Sequence, residues 1–160
     1  LNSWAIIIDY FAEKYGVMKL TMNMVDEARL MQPAVLAFMG DAVFDLFIRE
    51  RLIRRKPATS HKLHIYSTDY VKAASQAKIS KMLMDHFTQD EAYIFRRGRN
   101  TKSTTIPKHA EVQDYKYATA FEAVLGFLYL TGQQERLNSL MEQAALIIEK
   151  PEMETEHEKE

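Results

Sequence analysis

Apolar residues along this chain recur at intervals of three and four. No segment alternates with the period of two that marks a half-buried strand. The longest pattern opens at Pro33, a residue suited to the first turn of a helix. Val35, Met39, Val43, Leu46 and Ile53 then recur to about Arg55, and Lys56-Pro57 ends the run. Thr59 or Ser60 can cap a short segment through His61–Tyr66. Ser67 or Thr68 starts the next helix, with Tyr70, Val71, Ala74, Ile79, Leu83 and Phe87 as its apolar positions. Thr88-Gln89-Asp90-Glu91 has the form of a capping box. It opens a helix that Arg97-Gly98 is expected to close, with glycine at the C-terminal stop. The stretch Arg99–Gln113 shows no periodicity and is rich in Thr, Ser, Lys and Pro, so it reads as a basic loop. Asp114 can cap a helix that runs to Thr131-Gly132. A last amphipathic helix spans about Gln134–Lys150, with Leu137, Leu140, Met141, Ala144, Ile147 and Ile148 as its stripe. The pattern predicts an all-α domain.

Two of these helices break the apolar pattern in the same way. In Pro33–Ile48, Asp41 follows Gly40, and in Ala118–Leu130, Glu122 lies one turn before Gly126. Ala34, Ala37, Phe38, Asp41, Asp45 and Ile48 share one face of the first helix, and Ala118, Glu122 and Gly126 form one stripe on the second. An interior helical glycine costs about 1 kcal/mol relative to alanine, a loss that close helix packing can offset. Stacking the two small-residue faces would bring Asp41 and Glu122 together, with no basic neighbour on either face. A hard cation with oxygen ligands, Mg²⁺ or Mn²⁺, would neutralise such a pair. A single acid in an apolar helix is also met as the partner of a distant Arg or Lys, or as a boundary residue. Asp45, one turn beyond Asp41, is either a further ligand or an exposed helix residue.

Composition and charge extend this picture. The 160 residues fit one domain, and 47% hydrophobic content with only five Gly and four Pro favours a helical globular fold. The absence of cysteine excludes a disulfide framework and a thiolate site, and makes a reducing, cytoplasmic setting the expected one. The longest apolar stretch is too short to span a bilayer, so no membrane partner is expected. The net charge of −1 hides an uneven distribution: the last ten residues hold five Glu and one Lys, and without them the chain carries 20 basic and 17 acidic residues. Arg49, Arg51, Arg54, Arg55 and Lys56 form one basic cluster. Arg96, Arg97, Arg99, Lys102 and Lys108 form another, with no acid between Glu91 and Glu111. Either cluster alone can be a solvated surface; two of them flanking a candidate metal site point to a polyanionic substrate. His61-x-x-His64 has ligand-like spacing but fits no role in this scheme.

Leu36-Ala-Phe-Met-Gly-Asp-Ala-Val-Phe44 resembles the leading motif of the ribonuclease III catalytic domain, and Ala120-Phe-Glu-Ala-Val-Leu-Gly126 resembles its second motif. With Arg97-Gly-Arg-Asn100-Thr-Lys-Ser103, Pro107-Lys108 and Tyr115-Lys-Tyr117, the chain is similar to the short bacterial form of that family, Mini-ribonuclease III, from about Gln32 to Lys150. The resemblance implies an all-α ribonuclease III-like catalytic domain that cleaves double-stranded RNA with Mg²⁺ and leaves 5′-phosphate and 3′-hydroxyl ends. Asp41 and Glu122 are the implied catalytic metal ligands, and Arg97, Arg99, Asn100, Lys102 and Lys108 the implied RNA contacts. A homodimer and a precursor ribosomal RNA substrate, cut at the paired ends of its large-subunit part, are implied as well. Two further carboxylates of ribonuclease III are replaced by Ala37 and Thr119, which leaves the remaining ligands to water and substrate. Those losses keep a non-catalytic RNA-binding protein in view, beside an all-α Mg²⁺-dependent nucleotide pyrophosphohydrolase. Residues 1–17, which include an apolar helix pattern over Trp4–Tyr15, read as an extension before Met18. Residues 18–150 read as the domain and 151–160 as a disordered acidic tail.

Overall fold

The computed structural model describes residues 24–55, 57–101 and 111–149. The expected extension, most of the basic loop (with Lys102 and Lys108) and the acidic tail lie outside them. Among the described residues, seven α-helices follow one another: α1 (Met24–Leu30), α2 (Pro33–Arg55), α3 (Ser60–Val71), α4 (Ala73–Leu83), α5 (Gln89–Asn100), α6 (Val112–Leu130) and α7 (Gln134–Glu149). A 3₁₀ turn, Met84–His86, follows α4, and no strand occurs among the described residues. The all-α expectation holds.

The layout follows from α6. Its sequence is apolar on every side, and a helix of that kind must be surrounded. Ala118, Ala120, Phe121 and the run Ala123–Leu128 are all buried. Helices α2, α4 and α5 pack around it, and Leu137, Leu140, Met141, Ala144 and Ala145 of α7 complete the core. Phe44 of α2 meets Phe121 edge to face, with ring centroids 5.6 Å apart.

Three glycines set how closely the helices approach α6. A Cβ on Gly40 would lie 1.8 Å from the carbonyl oxygen of Glu122, and one on Gly126 would lie 1.9 Å from the carbonyl oxygen of Leu36. The α2 and α6 backbones therefore touch at two reciprocal points. Gly98 plays the same part on α5, where a Cβ would come 2.8 Å from Cα of Ala120. This corrects the expected stop at Gly98: the helix continues to Asn100, and the glycine is a packing residue. The left-handed glycine is Gly132, with φ of 70°, at the turn between α6 and α7.

The caps and breaks show which local signals acted. Thr88 and Glu91 form the expected capping box. Glu91 is fully buried and accepts two further hydrogen bonds from the Arg136 guanidinium, so the same carboxylate pins α7 to α5. Thr59 caps α3 as expected. The break expected at Ser67 or Thr68 lies instead at Lys72, where no Gly or Pro marks it. Ser75 Oγ donates to the Asp69 carbonyl and Gln76 Nε2 to the Val71 carbonyl, so side chains beyond the break satisfy the end of α3. Ser67 itself stays inside the helix and donates to the carbonyl of His64. The expected α2 stripe is also corrected: Val35, Leu46 and Ile53 stand exposed and Met39 and Val43 are half-buried, while Leu36, Phe44, Ile48 and Leu52 face the core.

The glycine contacts predict a large effect from one methyl group. Gly126→Ala would force two backbones apart, at a cost of about 3 kcal/mol. The melting temperature should fall by about 6–12 °C. Gly132→Ala, where a Cβ has open space, should cost only about 1–2 kcal/mol for its left-handed conformation. Thermal unfolding followed by circular dichroism compares the two; equal losses would refute the close-contact account.

Candidate active site

Asp41 follows the glycine that presses on the Glu122 carbonyl, so the α2–α6 contact sets both acids at one level of the bundle. Glu122 is largely withdrawn from water, and Asp41 stands nearer the rim. No ion pair formed by the described residues involves either carboxylate. Burial, and then the charge of Asp41, push Glu122 up to about 7, against a hydrogen bond from the Gln76 side chain that draws it down. Burial, and then the charge of Asp45, raise Asp41. The repulsion between the two acids falls on Glu122, the more buried partner. Asp45, whose charge reaches Asp41, is itself paired with Arg49 at 2.6 Å.

This donor set fits a divalent cation. Two carboxylates are held together against their own repulsion with no cationic side chain to offset them, and Mg²⁺ needs only one or two carboxylates when water and phosphate complete its shell. The described residues contain no group of three or more His, Cys, Asp and Glu that would form a closed protein cage, and His61 and His64 belong to no such group. Ala37 is buried and Thr119 half-buried, and neither supplies a charge. The polar neighbour that the sequence pattern did not single out is Gln76 on α4, which is 1% exposed. A signal for it exists: Gln76, Ile79 and Leu83 share one helix face, so a glutamine occupies a core position.

The expected RNA contacts divide. Arg97 donates to the carbonyls of Arg29 and Met31, tying α5 to the end of α1, and its guanidinium also lies over the Tyr93 ring at 5.6 Å. Arg97 is thus occupied in holding the fold. Arg99, whose guanidinium lies 5.9 Å from the Tyr117 ring centroid, and the exposed Asn100 stand at the end of α5 where the basic loop begins. Lys81 approaches the same Tyr117 ring, at 5.3 Å, and pairs with Asp114. Of the first basic cluster, Arg51 is buried against Glu142 and Glu149, and Arg55 also pairs with Glu149.

The raised carboxyl group has a signed consequence for stability. Glu122 binds its proton more tightly folded (near 7) than at its ordinary value of 4.5. The metal-free protein therefore loses stability as pH rises from about 4.5 to 7, by roughly 3 kcal/mol in all. Glu122→Gln removes this loss. Its melting temperature should exceed that of the metal-free wild type at about pH 8 and match it near pH 4. A variant less stable than wild type at both values would contradict the assignment.

The family model for the ribonuclease III domain matches residues 34–133. The chain is 48% identical over 119 residues to Mini-ribonuclease 3 of Thermoanaerobacter sp. (strain X514), covering 74% of this chain and 84% of that protein. It is 43% identical over 122 residues to Mini-ribonuclease 3 of Staphylococcus aureus, covering 75% and 91%. Among solved structures, the crystal structure of protein FN1578 from Fusobacterium nucleatum superposes with a TM-score of 0.68 at 30% identity, over 74% of this chain and 94% of that one. These matches favour an endoribonuclease over the pyrophosphohydrolase and non-catalytic alternatives, and point to double-stranded RNA as its substrate. With the α2–α6 crossing carrying both family motifs, the chain belongs to the ribonuclease III domain family, in its Mini-ribonuclease 3 form, and is an endoribonuclease.

Proposed function

We propose that this endoribonuclease hydrolyses double-stranded RNA using Mg²⁺ held by Asp41 and Glu122, with Mn²⁺ able to replace it. The carrying observation is the pair of unneutralised carboxylates at the glycine crossing, one of them pushed up to about 7. A bound cation would polarise a phosphodiester oxygen and acidify water in its shell. Asp41 and Glu122 anchor and orient; α2 and α6 keep them fixed through the backbone contact at Gly40 and Gly126. Hydrolysis in this family's sense breaks the bond to the 3′ oxygen and leaves 5′-phosphate and 3′-hydroxyl ends. Arg99 and Asn100, with Arg96 beside them and Lys102 and Lys108 of the adjoining loop, supply the contacts to phosphates and 2′-hydroxyls. Duplex RNA is read mainly by shape through such groups, so little sequence selectivity is expected. Precursor ribosomal RNA, at the paired ends of its large-subunit part, is the substrate that the likeness to Mini-ribonuclease III implies, in the cytoplasm.

A homodimer belongs to the same reading. The outer face of α2 carries Val35, Phe38, Leu46 and Ile53, which are 53%, 79%, 68% and 65% exposed. With Ala42 between Phe38 and Leu46, the spacings along the stripe are three, four, four and seven positions, which keep it on one side of the helix as in a helix seam. Two copies packed across this stripe would cover it and set two active sites beside one duplex.

Asp41→Asn should reduce Mg²⁺-dependent cleavage of a labelled RNA duplex at least about 1,000-fold, the scale expected when a ligand to a catalytic metal is lost. Duplex binding and the fold should largely persist. Near-normal turnover in this variant would overturn the metal assignment.

Phe38→Asp combined with Leu46→Asp places two charges in the proposed seam. The wild type should sediment as a dimer at micromolar concentration and the variant as a folded monomer. A wild-type monomer that still cuts both strands would exclude the dimer.

A further inference from the structure

Ser80 and Gly98 are the buried anchors by which α4 and α5 meet the first half of α6. Ser80 is fully buried, and its Oγ donates to the carbonyl of Tyr117 at 3.0 Å. Gly98 presses on Ala120. Each anchor is followed at once by a cation, Lys81 on α4 and Arg99 on α5. Both cations reach one aromatic ring. Lys81 Nζ lies 5.3 Å from the Tyr117 centroid, and the Arg99 guanidinium carbon lies 5.9 Å from it. The ring is braced edge-on by the buried Phe95, with centroids 5.9 Å apart. Neither cation is held by a hydrogen-bonded acid. Asp114 stands 3.6 Å from Lys81 Nζ, beyond hydrogen-bond reach, and among the described residues Arg99 pairs with no acid. Two like charges drawn to one ring repel each other, and an anion that joins them relieves the repulsion.

We propose that Lys81 and Arg99 form a two-cation clamp for the phosphates of one strand of duplex RNA, with Tyr117 as the positioning residue that holds both cations ready. The inference rests on the double-stranded RNA reading given above and adds Lys81 and Tyr117 to it. A free lysine or arginine side chain surrenders its rotamers when it meets a phosphate. The ring removes part of that freedom beforehand and leaves the charge intact. Lys81 is open to an incoming strand, since its side chain is 54% exposed, and it leaves Asp114 without losing a hydrogen bond. A protein carboxylate does not complete this arrangement, because the one at hand, Asp114, leaves Arg99 unmet. The phosphates of a duplex repeat along each strand, so two cations from two helices can be met together, through the backbone groups by which duplex RNA is read. Tyr117 does not itself meet the RNA in this account. It acts through Lys81 and Arg99.

The test reads the salt dependence of binding. A fluorescently labelled RNA duplex is titrated with the full chain between about 50 and 200 mM salt, without divalent metal so that the RNA stays intact. Lys81→Gln and Arg99→Gln should each lower the slope of log affinity against log salt by about one unit. Lys62→Gln, at an exposed position on α3, should leave the slope unchanged. Tyr117→Leu keeps both charges, so it should keep the slope while weakening binding at least about 5-fold at every salt concentration. Tyr117→Phe restores the ring and should restore the affinity. A wild-type slope in Lys81→Gln overturns the clamp, as does an equal loss of affinity in Tyr117→Leu and Tyr117→Phe. Because Lys81 is half-exposed, its variant decides the matter even if Tyr117→Leu does not fold. A wild-type protein whose duplex binding is absent or independent of salt would instead overturn the RNA reading itself, so the two failures are told apart.

Discussion

The contact between the α2 and α6 backbones is the constraint on which the rest of the molecule depends. Gly40 lies against the carbonyl of Glu122 and Gly126 against that of Leu36, so each helix presses its missing side chain into the other. Helix axes normally stand about 8–10 Å apart, and side chains at the contact set that distance. Glycines on both sides remove the spacer. The acids adjoining the contact are then carried in by the backbone rather than by flexible side chains, which is what the proposed two-carboxylate site would need. It also explains why the middle of α6 is apolar: a helix gripped this closely by α2 on one side, and by α5 through Gly98 on another, meets water mainly near its ends, at Val112 and Tyr129.

The energetics run in opposite directions at the two ends of the bundle. Around Glu122 the fold tolerates a carboxyl group that would rather be neutral, with a second acid beside it. Away from the site, buried charge is fully matched. Glu91 and Arg136 share two hydrogen bonds, and Glu91 is held well inside its usual charged range despite burial. Arg51, whose side chain is 4% exposed, reaches Glu142 and Glu149, and Tyr70 donates to Glu149. Breaking such a pair is costly because it strands a charge, whereas Glu122 already stands without a cationic side chain among the described residues. The matched pairs join α5 to α7 and α2 to α7, the elements that frame α6, so they stabilise the frame while the site remains available for a cation.

Much of this is legible in the chain, and the misses share causes. The helices are readable because α2, α6 and α7 are long and periodic, and because Thr88 and Glu91 form a capping box. That Asp41 and Glu122 come near each other is readable because each lies by a glycine on a small-residue face, and such faces pack closely. The α3–α4 break is not readable, since Ser75 and Gln76 complete it from beyond the break and no Gly or Pro marks Lys72. Gly98 misleads because a glycine that ends a helix and one that admits a neighbour look alike in one dimension; Ala120, 22 positions on, decides between them. Gln76 escapes notice because its bond runs back across an unmarked break to the carbonyl of Val71. These failures are tertiary in origin, and local pattern carries no trace of the partner.

The basic clusters show how far charge counting goes. Arg49, Arg54 and Arg55 pair with Asp45, Glu50 and Glu149, and Arg51 is buried with its own acids. A cluster that reads as a polyanion surface is thus largely internally neutral. In the second cluster Arg97 is drawn onto the carbonyls at the end of α1. What distinguishes Arg99 is its neighbour: its guanidinium lies over the Tyr117 ring, on the same helix as Glu122 and five residues before it, just over one turn. A cation held over an aromatic face keeps its charge and loses much of its rotamer freedom, so it can meet a phosphate without first being ordered. Position relative to the carboxylates, rather than the number of arginines, is therefore the feature by which this chain would register a duplex on its cutting site.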